Sequence, residues 1–120
     1  MGKFIISART NGEYQFNLKA GNGQVILSSQ GYSLKSSCLN GIESVKTNAA
    51  DLSKFESKNS SNEKYYFNLK AANGQIIGSS QMYTTEAAKD NGIQSVHTNA
   101  PMATVEDETV TVENEKSVLA

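Results

Sequence analysis

Along residues 14–20 apolar and polar positions alternate: Tyr14, Phe16, Leu18 and Ala20 fall on one side, Gln15, Asn17 and Lys19 on the other. A period of two marks a strand with one face covered. The pattern returns at residues 65–71, inside a longer duplication. Residues 14–49 and 65–100 share one register at a step of 51 residues without a gap, so two copies of one unit are expected. The β-branched run at residues 3–9 predicts a preceding strand, and Thr10-Asn11-Gly12-Glu13 predicts a turn after it.

Gly21-Asn22-Gly23-Gln24 is the strongest local signal, because Asn and Gly accept the positive φ of a type I′ hairpin turn. With Asn22-Gly23 as the central pair, Leu18 faces Leu27, Asn17 faces Ser28, Phe16 faces Ser29 and Gln15 faces Gln30. The same construction at Asn73-Gly74 sets Leu69 against Gly78, Phe67 against Ser80 and Asn68 against Ser79. Beyond each hairpin the apolar spacing becomes helical. Leu34, Cys38, Ile42 and Val45 form one stripe; Ala88, Ile93 and Val96, with Ala87, form the other. Ser33 and Thr84 are the expected N-caps, Glu86 suits a first turn, and Asn48 and Asn99, with Pro101, supply stops. Gly41 and Gly92 fall inside the helices at a cost of about 1 kcal/mol each relative to alanine, so a close backbone approach to a strand is expected there.

Residues 52–56 read as a strand in register with Lys3-Phe4, followed by a polar hairpin loop over residues 57–64. This segment is expected to be at once the last strand of the first unit and the first strand of the second. Residues 102–106 are expected to play the corresponding part after the second helix. Residues 107–120 form an acidic tail, where a mobile tail is favoured over a strand at residues 109–113. The expected organisation is one pseudo-symmetric domain over residues 1–106, with repeat one at about 1–51 and repeat two at about 52–106.

Composition removes several function classes. At 120 residues with a formal net charge of −1, the chain has no basic excess to draw it to nucleic acid or anionic membrane. No segment is long and apolar enough for a membrane helix. A single cysteine excludes an internal disulfide, and a cytoplasmic setting is expected.

Candidate chemistry is sparse. Cys38 sits in a helical stripe, where cysteine usually behaves as a small hydrophobe; His97 stands near a helix end, where its charge would suit the dipole. Their counterparts in the other copy are Lys89 and Lys46, so neither is duplicated. The glycines at 21 and 23 connect strands and lack the Lys-Ser/Thr of a phosphate loop. The duplicated polar side of the hairpins is the remaining candidate: Asn17, Lys19, Ser28 and Gln30 with Asn68, Lys70, Ser79 and Gln81. Gln24 and Gln75 join it, Tyr66 adds an aromatic, and Ile26 and Ile77 are expected on the same face. A solvated face is the plain interpretation, and a ligand surface the functional one. A nucleic-acid platform would want several exposed aromatics with basic neighbours.

Phe67-Asn68-Leu69-Lys70-Ala71-Ala72-Asn73-Gly74, continuing through Ile76-Ile77-Gly78-Ser79-Ser80-Gln81-Met82-Tyr83, resembles the YegP-like family of small bacterial proteins of unknown function. Gly41-Ile42-Glu43-Ser44-Val45 and Gly92-Ile93-Gln94-Ser95-Val96 extend the resemblance to both helices, up to about residue 106. It implies an α+β fold of two tandem β-β-β-α-β repeats in one continuous antiparallel sheet, with one helix per repeat and the C-terminal strands exchanged. It implies no established activity. The expected role is a non-enzymatic binding or interaction module of undefined partner, without cofactor or metal. The alternatives are an enzyme with an asymmetric site near His97 or Cys38, and a self-associating structural protein. A monomer is expected, with a homodimer through edge strands as the alternative.

Overall fold

A computed structural model describes residues 2–109. Among these residues seven strands form one sheet: β1 (Lys3–Ala8), β2 (Tyr14–Lys19), β3 (Val25–Ser28), β4 (Phe55–Asn59), β5 (Tyr65–Lys70), β6 (Ile76–Ser79) and β7 (Thr104–Asp107). Helices α1 (Lys35–Ala49) and α2 (Glu86–Asn99) cover one face, and the spatial order is β4-β5-β6-β3-β2-β1-β7. The halves meet at β3 and β6, where Ser28 pairs with Ser79 across a pseudo-two-fold axis.

Each strand that follows a helix joins the other half. β4 leaves α1 and pairs antiparallel with β5; β7 leaves α2 and returns to β1. The place beside β5 that β4 takes corresponds to the place beside β2 that β1 already fills. β7 therefore lies one strand further out, in the direction of β1 itself, so that the β1–β7 pair is parallel and the other pairs are antiparallel. That edge departs from the antiparallel sheet expected throughout.

The core repeats with the sequence. Phe4 meets Phe16 edge-on at 5.7 Å and Phe16 stacks on Tyr32 at 6.3 Å, as Phe55 meets Phe67 at 5.7 Å and Phe67 stacks on Tyr83 at 6.4 Å. A Cβ on Gly41 would lie 2.5 Å from the Tyr32 hydroxyl and 3.1 Å from Phe16, and Gly92 meets Tyr83 and Phe67 in the same way. The tyrosine ring, with the strand phenylalanine behind it, is thus the reason for each helical glycine. Phe16, Leu18, Phe67, Leu69, Val45 and Val96 are fully buried, and each contributes roughly 1.5–3 kcal/mol by removal from water.

Several local expectations need correction. Gly23 and Gly74 carry φ of +85° while Asn22 and Asn73 do not have positive φ. The Gly23 amide donates to Ala20 O and the Ala20 amide to Gln24 O. The turn is therefore centred on Gly21-Asn22 and closed by a left-handed glycine that forms a bulge. Asn22 Oδ1 locks it by accepting from the Gln24 amide at 3.0 Å. The bulge shifts register between Leu18 and Lys19, and between Leu69 and Lys70. As a result Ile26 and Ile77 join the helix-side core, against expectation, and Val25 and Ile76 line the other face. Gln15 does not face Gln30: the Ser29 hydroxyl accepts from the Phe16 amide, and the next bridge joins Tyr14 to Tyr32.

The N-caps lie one residue later than expected, at Leu34 and Thr85; Thr85 accepts from the Ala88 amide, whereas Leu34 offers no side-chain bond. Leu34 is 60% exposed and leaves the stripe, which begins at Cys38; Ala87 is exposed too. Asn48 and Asn99 lie within the helices and donate back to the Ser44 and Ser95 carbonyls. Residues Leu52–Lys54 form a 3-10 turn rather than the start of a strand, because Asp51 accepts from the Ser53 amide and hydroxyl. β4 continues to Asn59, into the expected loop. β7 reaches Asp107, held by Lys35 at 3.0 Å; the tail expected beyond it lies, from residue 110 on, outside the described residues.

Candidate functional site

No helix among the described residues covers the second face of the sheet. Strand register builds a row across it: Glu106, Ile5, Asn17, Ser28, Ser79, Asn68 and Glu56 lie side by side on seven successive strands. At its centre the Ser28 hydroxyl donates to Asn17 Oδ1 at 2.7 Å, and Ser79 donates to Asn68 Oδ1 at 2.7 Å. These bonds orient both amides and leave each Nδ2 as a donor unengaged within the described residues. Asn68 is only 6% exposed, so its remaining donor is held in place rather than mobile. Over the pseudo-axis lies a shallow groove of about 530 Å³, lined by Val25 and Ile76, Ser28 and Ser79, and Gln30 and Gln81.

The other expected site residues fall around this row. Lys19 lines a second hollow with Lys3, Ile5 and Glu106. Lys70 bonds Glu56 at 3.0 Å, which holds the Glu56 carboxyl below its ordinary range. Tyr66 is half-buried and registers with Lys58. Gln30 rims the groove, and the Tyr32 hydroxyl has its pKa raised mainly by burial. Glu56, Lys58, Val25 and Ile76 belong to the face and went unread in the sequence. The first two lay in a supposed loop or end strand, and the apolar pair was displaced by the bulge.

Cys38 and His97 do not offer a reactive pair. Cys38 is fully buried, and burial, with Asp107 nearby, pushes its thiol up to about 11. His97 Nδ1 lies 2.8 Å from the Ala49 carbonyl and ties α2 to the end of α1. Lys89, which replaces Cys38 in the second copy, is 5% exposed; its ammonium donates to Ser57 Oγ and Asp90 Oδ1, both at 2.8 Å. Among the described residues no three His, Cys, Asp or Glu side chains cluster to hold a metal ion, and no helix is long and apolar enough to cross a membrane.

A family profile described as a domain of unknown function (DUF1508) matches residues 10–56 and again 60–107. The chain is 54% identical over 104 residues to a UPF0339 protein in the ptx operon 5′ region of Stutzerimonas stutzeri, covering 87% of this chain and 94% of that one. Two solution NMR structures are similar to it. One is the protein of unknown function YegP from Escherichia coli, with a TM-score of 0.85 at 48% identity, covering 89% of this chain and 92% of that one. The other is a UPF0339 protein from Shewanella oneidensis, with a TM-score of 0.84 at 51% identity, covering 88% and 90%.

Proposed function

Since the chain belongs to the DUF1508 family and carries that domain twice, we propose that it acts as a non-enzymatic binding module whose contact surface is the uncovered face of the sheet. The observation that carries this reading is the central row, in which Asn17 and Asn68 are each oriented by a serine and present an unengaged amide donor to either side of the axis. A solvated face has no need of such orientation. Polyanions fit poorly, because Tyr66 is the one aromatic of the expected site and Lys70 is engaged by Glu56. A neutral partner with carbonyl or hydroxyl acceptors fits the row better. The setting we infer is cytoplasmic and the chain monomeric.

Titration of ¹⁵N-labelled protein with metabolite, peptide and RNA collections tests this. Binding should move Asn17, Ser28, Asn68 and Ser79, and Asn17→Ala with Asn68→Ala should weaken it about tenfold, as loss of one or two hydrogen bonds implies. Shifts confined to Cys38 or His97 would refute it.

A further inference from the structure

We propose that a cleft on the helix-bearing side, between the β2–β3 turn and α2, and its counterpart between the β5–β6 turn and α1, are equivalent sites for an uncharged, hydroxyl-rich ligand of monosaccharide size. The first cleft measures about 240 Å³. Its rim carries the amides of Asn22, Gln24, Gln81 and Asn91 and the Ser95 hydroxyl; its floor is apolar, made by Ile26, Tyr83 and the Gly92 backbone. None of its lining residues, among those described, is charged. An ionic ligand would lose hydration there without finding a counter-charge. Amides donate and accept together, as vicinal hydroxyls do, and the floor offers a surface for the C–H side of a sugar ring.

The cleft is formed by one repeat's turn and the other repeat's helix, so duplication builds it twice. Apart from Ala88, which matches Ser37, every lining residue has the same identity 51 positions away. Helix packing alone does not demand this. On the exposed helix surface Ser36, Leu39 and Glu43 have become Ala87, Asp90 and Gln94, yet Asn40 and Asn91 are the same. Asparagine is a poorer helix residue than alanine by roughly 0.5 kcal/mol, and neither side chain makes a hydrogen bond within the described residues. Ser44 and Thr47, with Ser95 and Thr98, extend the shared identity along one helix face at steps of four and three. The Ser44 and Ser95 hydroxyls accept from the Asn48 and Asn99 amides at 3.2 Å, but Asn40 and Asn91, kept in both copies with no bonding role among the described residues, point to a ligand. These sites lie on the opposite side of the sheet from the row of Asn17 and Asn68, and meet the groove over that row at Gln81 and its counterpart Gln30.

The test uses the ¹⁵N-labelled full chain with D-glucose and myo-inositol at up to about 50 mM, in the range of weak millimolar binding, and with sodium phosphate as the charged probe. At least one of the two neutral probes should move Gln24, Asn91 and Ser95 together with Gln75, Asn40 and Ser44. Asn91→Leu should abolish the first set alone and Asn40→Leu the second alone, with unchanged spectra elsewhere reporting an intact fold; Asn91→Ala and Asn40→Ala serve if leucine disturbs a helix. Absence of shifts in both sets with both sugars would overturn the proposal, as would shifts produced by phosphate alone, or a response indifferent to the substitutions.

Discussion

Leu27 and Gly78 occupy equivalent positions of the two repeats, and the pseudo-axis brings them into the same space. A Cβ on Gly78 would lie 2.6 Å from Leu27 Cδ2 and 2.7 Å from its Cγ. Only one side of the seam has room for a side chain. Gly78→Leu overpacks it at about 1–3 kcal/mol. Leu27→Gly empties it, at about 2–5 kcal/mol for the buried side chain and a further ~0.5–1 kcal/mol for glycine within a strand. As independent changes they would cost about 3.5–9 kcal/mol together, much of the roughly 5–15 kcal/mol that holds a domain folded. The double variant instead moves the leucine to the other side of the axis, into the vacated volume, with composition unchanged. It should lie within about 1.5 kcal/mol of the parent, as volume-conserving exchanges do. Urea denaturation of the four proteins, followed by circular dichroism, measures the coupling. A double variant as unstable as the two single losses combined would refute the shared-volume account.

The β4–β5 turn shares its bonding with the three glycine-closed turns, but Glu63 holds the left-handed position at φ 65°. A non-glycine residue there costs about 1–2 kcal/mol, offset in part by the ~0.5–1 kcal/mol that glycine's freedom costs on folding. Glu63→Gly should raise stability by roughly 0.5–1 kcal/mol, read as a higher urea midpoint at the same slope; a lower midpoint would contradict the turn assignment. The Cys38 thiol, raised from 9.0 to about 11 in the fold, keeps its proton where the unfolded chain has lost it. Its stabilising contribution is complete below about pH 9 and is lost as pH rises to about 11, with a slope of up to ~1.4 kcal/mol per pH unit. Tyr32, also raised, adds to the decline. Cys38→Ala should flatten the profile of urea midpoint against pH, and an unaltered slope would show that the thiol is not buried as described.

Much of the fold was legible because the duplication checks itself: alternation at Tyr14 and Tyr65, helical spacing, and the Phe4 and Phe55 registers agree between copies. The errors have a common source in single atoms or single φ angles. One left-handed glycine moved Ile26 and Ile77 from one face to the other. One serine hydroxyl at Ser29 broke the pairing beyond Phe16, and one aspartate turned residues 52–54 into a 3-10 turn. The parallel pairing of β7 follows from β1 already filling its symmetric place, which is a property of the whole sheet and of no segment within it. The central row was half-visible: hairpin register set Asn17 by Ser28 and Asn68 by Ser79, but only the Ser28–Ser79 seam joined the two pairs. The inter-repeat clefts were hidden for the same reason, since each is assembled from the turn of one repeat and the helix of the other, far apart in the sequence.

That the two repeats complete one another is the claim on which both surfaces depend, and residues 1–51 alone test it. The fragment lacks β4 to β7, so nothing pairs with the inner edge of β3 or the outer edge of β1. Sedimentation with parallel circular dichroism should find it unfolded, or dimeric with a second copy at the seam. A folded, stable monomer would contradict the account.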